Sequence, residues 1–174
     1  RADVIHGDLK PDNIMVDTRG LVRIVDFGSC HCRGMEQHNA GIPLGTRDYS
    51  APELLDGVAP SEQSDLFSVA VIIHEMLTGS LPWQGRYEKS AHRPLPPLQG
   101  HNAFVPLWIN NVLQIALQHQ PKQRFTDAAE FRDALRRPLR SRKPVIDNDI
   151  RQLRIWKGIS IVLGVLLLIS VATR

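Results

Sequence analysis

Apolar residues fall first into short Ile/Val-rich runs and later into longer helical ones. Asn13 to Asp17 and Leu21 to Asp26, joined by Thr18-Arg19-Gly20, predict a small hairpin. Residues 63–78, Gln-Ser-Asp-Leu-Phe-Ser-Val-Ala-Val-Ile-Ile-His-Glu-Met-Leu-Thr, predict a helix stopped by Gly79. Its apolar positions run nearly all the way round, so it belongs inside a helical domain with other elements packed about it. Further helices are predicted at 106–119, with Pro106 near the start and Pro121 after the end, and at 127–137, opened by a Thr126 cap and closed before Pro138. The opening Arg-Ala-Asp-Val-Ile-His reads as the end of a helix entering a buried turn, and residues 29–45 and 84–105 read as loops. The expected fold class is mainly α with a small β-hairpin.

Charge divides the chain. Residues 1–135 hold 12 Lys and Arg against 16 Asp and Glu, a net −4, whereas residues 136–157 hold 8 against 2, a net +6. A nucleic-acid groove would spread its charge over a folded face with aromatic residues interleaved, and this basic block contains only Trp156, so no nucleic-acid partner is expected. Directly after it, Gly158 to Thr173 is a run of sixteen uncharged residues, ten of them Ile, Val or Leu. A helix over this run covers about 24 Å, and Ile155 and Trp156, with Lys157 reaching outward, extend it to about 28 Å of a roughly 30 Å hydrocarbon core. The ten aliphatic residues supply about 3 to 6 kcal/mol of insertion energy. A single membrane-spanning helix is expected at 156–173, preceded by a basic linker at 138–155. The positive-inside rule then places everything N-terminal to it in the cytoplasm, at the inner membrane.

Of the 174 residues, 43% are hydrophobic and 22% charged, which suits one packed domain and excludes a disordered or collagen-like chain. Cys30 and Cys32 are the only cysteines, too few for a four-cysteine zinc site, and read as reduced thiols in a loop. His31, His38, His92, His101 and His119 show no repeated ligand spacing, and His74 is expected to pack within the buried helix.

Chemistry is concentrated in His6-Gly7-Asp8-Leu9-Lys10-Pro11-Asp12-Asn13, a polar loop before the hairpin. Thirteen residues past Asn13 the hairpin ends in Asp26-Phe27-Gly28, bringing another carboxylate beside that loop. Such a set suits phosphoryl transfer. An Asp can accept a hydroxyl proton, an Asn and a second Asp can hold magnesium, and a Lys can neutralise charge on the moving phosphoryl group.

These motifs, followed by Gly45-Thr46-Arg47-Asp48-Tyr49-Ser50-Ala51-Pro52-Glu53 and Ser64-Asp65-Leu66-Phe67-Ser68, make the chain resemble the C-terminal lobe of a eukaryotic-type Ser/Thr protein kinase. The resemblance spans about residues 4–135, with the lobe taken as 1–137, and leans toward bacterial membrane-anchored kinases through Glu75-Met76-Leu77-Thr78-Gly79-Ser80-Leu81-Pro82-Trp83. It implies ATP and Mg2+ as cofactors and protein Ser/Thr hydroxyls as substrates. Asp8 would be the catalytic base, Lys10 would touch the transferred phosphate, and Asn13 and Asp26 would bind magnesium. Lys10 together with Thr46 points to Ser/Thr rather than Tyr specificity. Glu53 would pair with Arg124, Asp65 would hold the catalytic-loop backbone, and His6 and Gly28 would belong to the architecture.

Two departures stand out. Gly7 replaces the Arg commonly found before the catalytic Asp, which removes a partner for an activation-loop phosphate and implies constitutive activity or control by other means. No phosphate-covering Gly-rich loop and no preceding Lys-Glu pair occur in these residues, and residue 1 is Arg, so the sequence reads as a fragment that is inactive alone. The alternative is a membrane-anchored pseudokinase serving as a docking scaffold, against which the intact Asp8, Asn13 and Asp26 argue.

Overall fold

The computed structural model describes residues 4–32, 48–85, 95, 98, 105–136, 160 and 164. Two small antiparallel ladders form its first part. Strands β2 (Ile14–Val16) and β3 (Val22–Ile24) make the predicted hairpin, with Ile14 opposite Ile24 and Val16 opposite Val22. Its turn is built around Asp17, whose carboxylate Oδ1 accepts the N–H groups of Arg19 and Leu21, both at 2.9 Å. Gly20 takes the left-handed conformation this turn needs, at φ 82°.

The second ladder corrects the reading of the chain's opening. Val4–Ile5 is a strand, β1, paired with β4 (His31–Cys32), so that Val4 faces Cys32 and Ile5 faces His31. A two-residue ladder is too short to show period-two alternation, and its partner lies inside the stretch read as a loop. Cys32 therefore belongs to a strand, while Cys30, just before it, is half-buried.

The rest is helical: α1 (Pro52–Leu55), α2 (Glu62–Thr78), α3 (Leu107–Ala116) and α4 (Ala128–Arg136). Ser61 and Ser64 exchange hydrogen bonds in a capping box that starts α2, and Gly79 ends it at φ 74°. Leu66, Phe67, Val69, Ala70, Val71 and Ile73 are all buried, so α2 is enclosed as its all-round apolar pattern requires, with α3 and α4 packed against it. His74 is buried in the same helix, its ring Nδ1 3.0 Å from the Ser80 carbonyl.

Two helix ends differ from expectation. α3 stops at Ala116 rather than 119: the Gln118 N–H bonds the Ile115 carbonyl three residues back at 3.2 Å instead of continuing the α-helical ladder, and the carbonyls of Gln118 and His119 accept hydrogen bonds from Arg124. At the start of α4 the cap is Asp127, not Thr126: Asp127 Oδ1 accepts the Glu130 N–H at 2.7 Å, while Glu130 reaches back to the Thr126 N–H at 2.8 Å.

No helix among the described residues is long and apolar enough to cross a membrane. Of the predicted span at 156–173 only Ser160 and Gly164 are described, both helical; its other residues and the 138–155 linker lie outside the described residues, as does Thr46.

Candidate active site

The loop from His6 to Asn13 is held from below by α2. Asp65, in the first turn of that helix and buried, accepts the N–H of His6 through Oδ2 at 2.7 Å and the N–H of Gly7 through Oδ1 at 2.9 Å. Both oxygens are thus spent on backbone donors. Burial pushes its pKa up to about 7, while those two donors pull the other way. The ring of His6 is buried beside them, with Nδ1 placed 3.3 Å from the Asp8 N–H and Nε2 3.2 Å from the Val25 carbonyl. These contacts assign the proton to Nε2, with Nδ1 accepting from Asp8. Burial lowers the pKa of His6, which agrees with a neutral ring. The ring of Phe27 meets it with centroids 5.3 Å apart and planes tilted by 57°.

Asp8, Lys10 and Asn13 form one connected group. The Lys10 ammonium donates to Asp8 Oδ2 at 2.8 Å, and the Asn13 amide nitrogen donates to the Asp8 carbonyl at 2.8 Å, with Asp8 Oδ2 3.4 Å away. A 3-10 turn at Pro11–Asn13 tucks Asn13 inward, where it is buried. The Lys10 pKa is raised first by its bond to Asp8, then by the charges of Asp8, Asp12 and Asp26.

Asp26 reaches this group through the hairpin register. The Val25 N–H donates to the Asn13 carbonyl at 2.9 Å, so the next residue, Asp26, emerges beside Asn13. Asp26 sits at φ 62°, left-handed for a residue that carries a side chain, a conformation costing on the order of 1 kcal/mol that concentrates at functional sites. Its Oδ1 accepts the Gly28 N–H at 3.3 Å, and a Cβ on Gly28 would lie 3.2 Å from that same oxygen. With its nitrogen committed to Asp8, Asn13 has its amide oxygen left as acceptor, and Asp26 keeps a second carboxylate oxygen. Hard oxygen donors of this kind fit a divalent cation such as Mg2+.

Glu53 and Arg124, 71 residues apart, meet in a buried bidentate pair with both N–O distances 2.7 Å. The remaining N–H groups of Arg124 donate to the carbonyls of Gln118 at 2.7 Å, Gln63 at 3.0 Å and His119 at 3.0 Å, satisfying all five donors. Its guanidinium lies 4.8 Å above the Phe67 ring. This cluster fixes α1 to α2 and to the turn before α4.

The structure thus brings Asp8, Lys10, Asn13 and Asp26 together, sets His6, Gly28 and Asp65 beneath them, and joins Glu53 to Arg124. One contact was missed in the sequence: the Tyr49 hydroxyl donates to Glu75 at 2.6 Å, tying the segment before α1 to the far end of α2. Burial, followed by that carboxylate, raises the phenol pKa. Periodicity has no means of pairing residues 26 positions apart.

An Asp bonded to an ammonium, with an Asn amide oxygen and a second carboxylate at the two ends of one hairpin, is a set suited to phosphoryl transfer, and the chain belongs to the protein kinase domain family, which matches residues 1–138. That family uses ATP and a divalent metal. Among bacterial Ser/Thr protein kinases, the chain is 36% identical over 143 residues to Pkn1 of Myxococcus xanthus, covering 76% of this chain and 21% of that protein. It is 42% identical over 141 residues to the probable kinase pknA2 of Bifidobacterium longum, covering 75% and 19% respectively. With PknB of Mycobacterium leprae the identity is 31% over 137 residues, covering 74% and 22%. The chain thus spans about a fifth of the length of these relatives.

Proposed function

We propose that the chain supplies the C-terminal lobe, residues 1–137, of a Ser/Thr protein kinase that transfers the γ-phosphoryl group of ATP to protein hydroxyls. The observation that supports this most is the Asp8–Lys10–Asn13 group with Asp26 beside it. Asp8 accepts the proton of the attacking Ser or Thr hydroxyl at its carboxylate, and the hydroxyl oxygen forms the new P–O bond as the ADP oxygen departs. Lys10 leaves Asp8 to neutralise charge on the phosphoryl oxygens. Asn13 and Asp26 would hold Mg2+, which supplies charge neutralisation on the phosphates. Asp65, through the His6 and Gly7 amides, keeps Asp8 in place without touching substrate. Thr46 is assigned to the hydroxyl-substrate side by resemblance alone. In the full-length protein, Asp8→Asn should cut turnover by roughly 10² to 10⁴ while leaving nucleotide binding nearly intact. An undiminished rate would overturn the role of Asp8, whereas absence of transfer by the parent protein would point to the pseudokinase scaffold instead.

We further propose that residues 156–173 anchor the protein in the inner membrane after the 138–155 linker, with the kinase lobe cytoplasmic. Ten aliphatic residues in the run and the +6 block before it support this reading. Replacing Leu166 and Leu167 by Arg adds roughly 5 to 7 kcal/mol to insertion and should release the protein into the soluble fraction. Release of the unmodified protein by high salt alone would count against a spanning helix.

A further inference from the structure

We propose that Gly7 is a positioning residue: its missing side chain sets how closely the turn carrying Asp26 approaches the loop carrying Asp8. A Cβ at Gly7 would lie 3.0 Å from the Ser29 carbonyl oxygen and 3.5 and 3.6 Å from Cγ and Cβ of Pro60. Ser29 closes the 3-10 turn at Phe27–Ser29 that follows directly on Asp26. Pro60 immediately precedes Ser61, the cap of α2. The nearest obstacle is therefore backbone, which cannot swing aside as the end of a flexible side chain can.

The loop cannot retreat from such a contact. The N–H of Gly7 is fixed to Asp65 at 2.9 Å, and Asp65 belongs to the buried central helix. Displacement must fall on Ser29 and on Gly28, whose N–H orients the Asp26 carboxylate. Any side chain at position 7 thereby moves Asp26 relative to Asp8. Arg at this position, the residue that the resemblance calls for, is a wedge in this chain rather than a repair.

Gly7 is also at φ 76°, so replacing it costs backbone strain as well as space. Other glycines separate the two effects. Gly57 has φ 79°, and a Cβ there would meet nothing within 4 Å. Gly57→Ala carries the same strain without the contact. Differences between Gly7→Ala and Gly57→Ala beyond melting temperature report the packing alone.

The inference rests on Asp26 as the metal-holding carboxylate, but its first test needs no catalysis, so the two readings fail separately. In the 15N-labelled 174-residue chain, Gly7→Ala should shift the Gly28 amide resonance and speed exchange of the Cys30 amide, bonded to Phe27, by about tenfold. Gly57→Ala should change that rate less than about twofold at a comparable loss of melting temperature. In the full-length kinase, Gly7→Ala should raise the Mg2+ concentration for half-maximal transfer about tenfold, with a smaller change in kcat at saturating Mg2+. Equal effects of the two variants, or none, would overturn the proposal. Should Gly7→Ala not fold, Pro60→Ala decides: it removes one wall of the gap and should loosen the Cys30 amide while α2 keeps its protection, and unchanged exchange overturns the role.

Discussion

Replacing Arg124 by Ala tests the structural centre of the lobe. The side chain is fully enclosed and every one of its N–H groups is paired, two with Glu53 and three with main-chain carbonyls. Removing one partner of a buried ion pair costs about 3 to 5 kcal/mol because the other charge stays behind. The three carbonyls of Gln118, Gln63 and His119 lose their donors as well, at about 1 kcal/mol each where entering water replaces part of the loss. The sum, about 6 to 8 kcal/mol, is comparable to the whole stability of many domains. Urea unfolding followed by circular dichroism should find Arg124→Ala largely unfolded without denaturant. Arg19, exposed and only 3.4 Å from Asp17, supplies the contrast: Arg19→Ala should stay within about 0.5 kcal/mol of the parent. Adding Glu53→Gln to Arg124→Ala should cost less than the sum of the single changes, since the stranded charge is removed. A loss below about 1 kcal/mol for Arg124→Ala, or strict additivity in the double variant, would refute the reasoning.

Two further outcomes are expected. Burial lowers the pKa of His6, so the unfolded chain binds more protons than the folded one below the ordinary value of 6.5, and the contribution of His6 to stability is lost as pH falls through that range. The stability gap between the parent and His6→Gln should therefore widen from pH 5 to pH 7 in parallel urea titrations, and a gap that narrows would show that His6 is charged in the fold. Asp127→Ala should cost about 1 kcal/mol through loss of the α4 cap, whereas Thr126→Ala should cost less than half of that in the same assay.

Legibility followed the range over which each signal acts. The hairpin was readable because Ile and Val alternate around a glycine turn, and α2 because its apolar positions span more than four turns. β1 and β4 were not, since Val4–Ile5 and His31–Cys32 are two residues each and are defined only by one another. The α3 end was misjudged for a related reason: the pattern continues past Ala116, while the last turn tightens there through the Gln118–Ile115 hydrogen bond, which no periodicity marks. At the site, residue types and spacing nominate the loop His6–Asn13 and the Asp26 carboxylate, and the resemblance to protein kinases assigns the roles to Asp8, Lys10, Asn13 and Asp26. The left-handed backbone of Asp26 and the closeness of Ser29 to Gly7 needed coordinates, because neither is encoded in a local pattern.

The long reach of the Glu53–Arg124 pair also bears on synthesis at the ribosome. Glu53 emerges well before its partner, and until residue 124 has left the exit tunnel its carboxylate has no cation to meet in the interior. A nascent chain ending before Pro121 can bury α1 only by stranding that charge or by protonating it. The lobe therefore stays open, with the apolar surface of α2 uncovered by α3 and α4, until its last described helix has been made. Folding is thus tied to completion of the lobe, and a truncated product exposes the same surface that a chaperone or protease recognises.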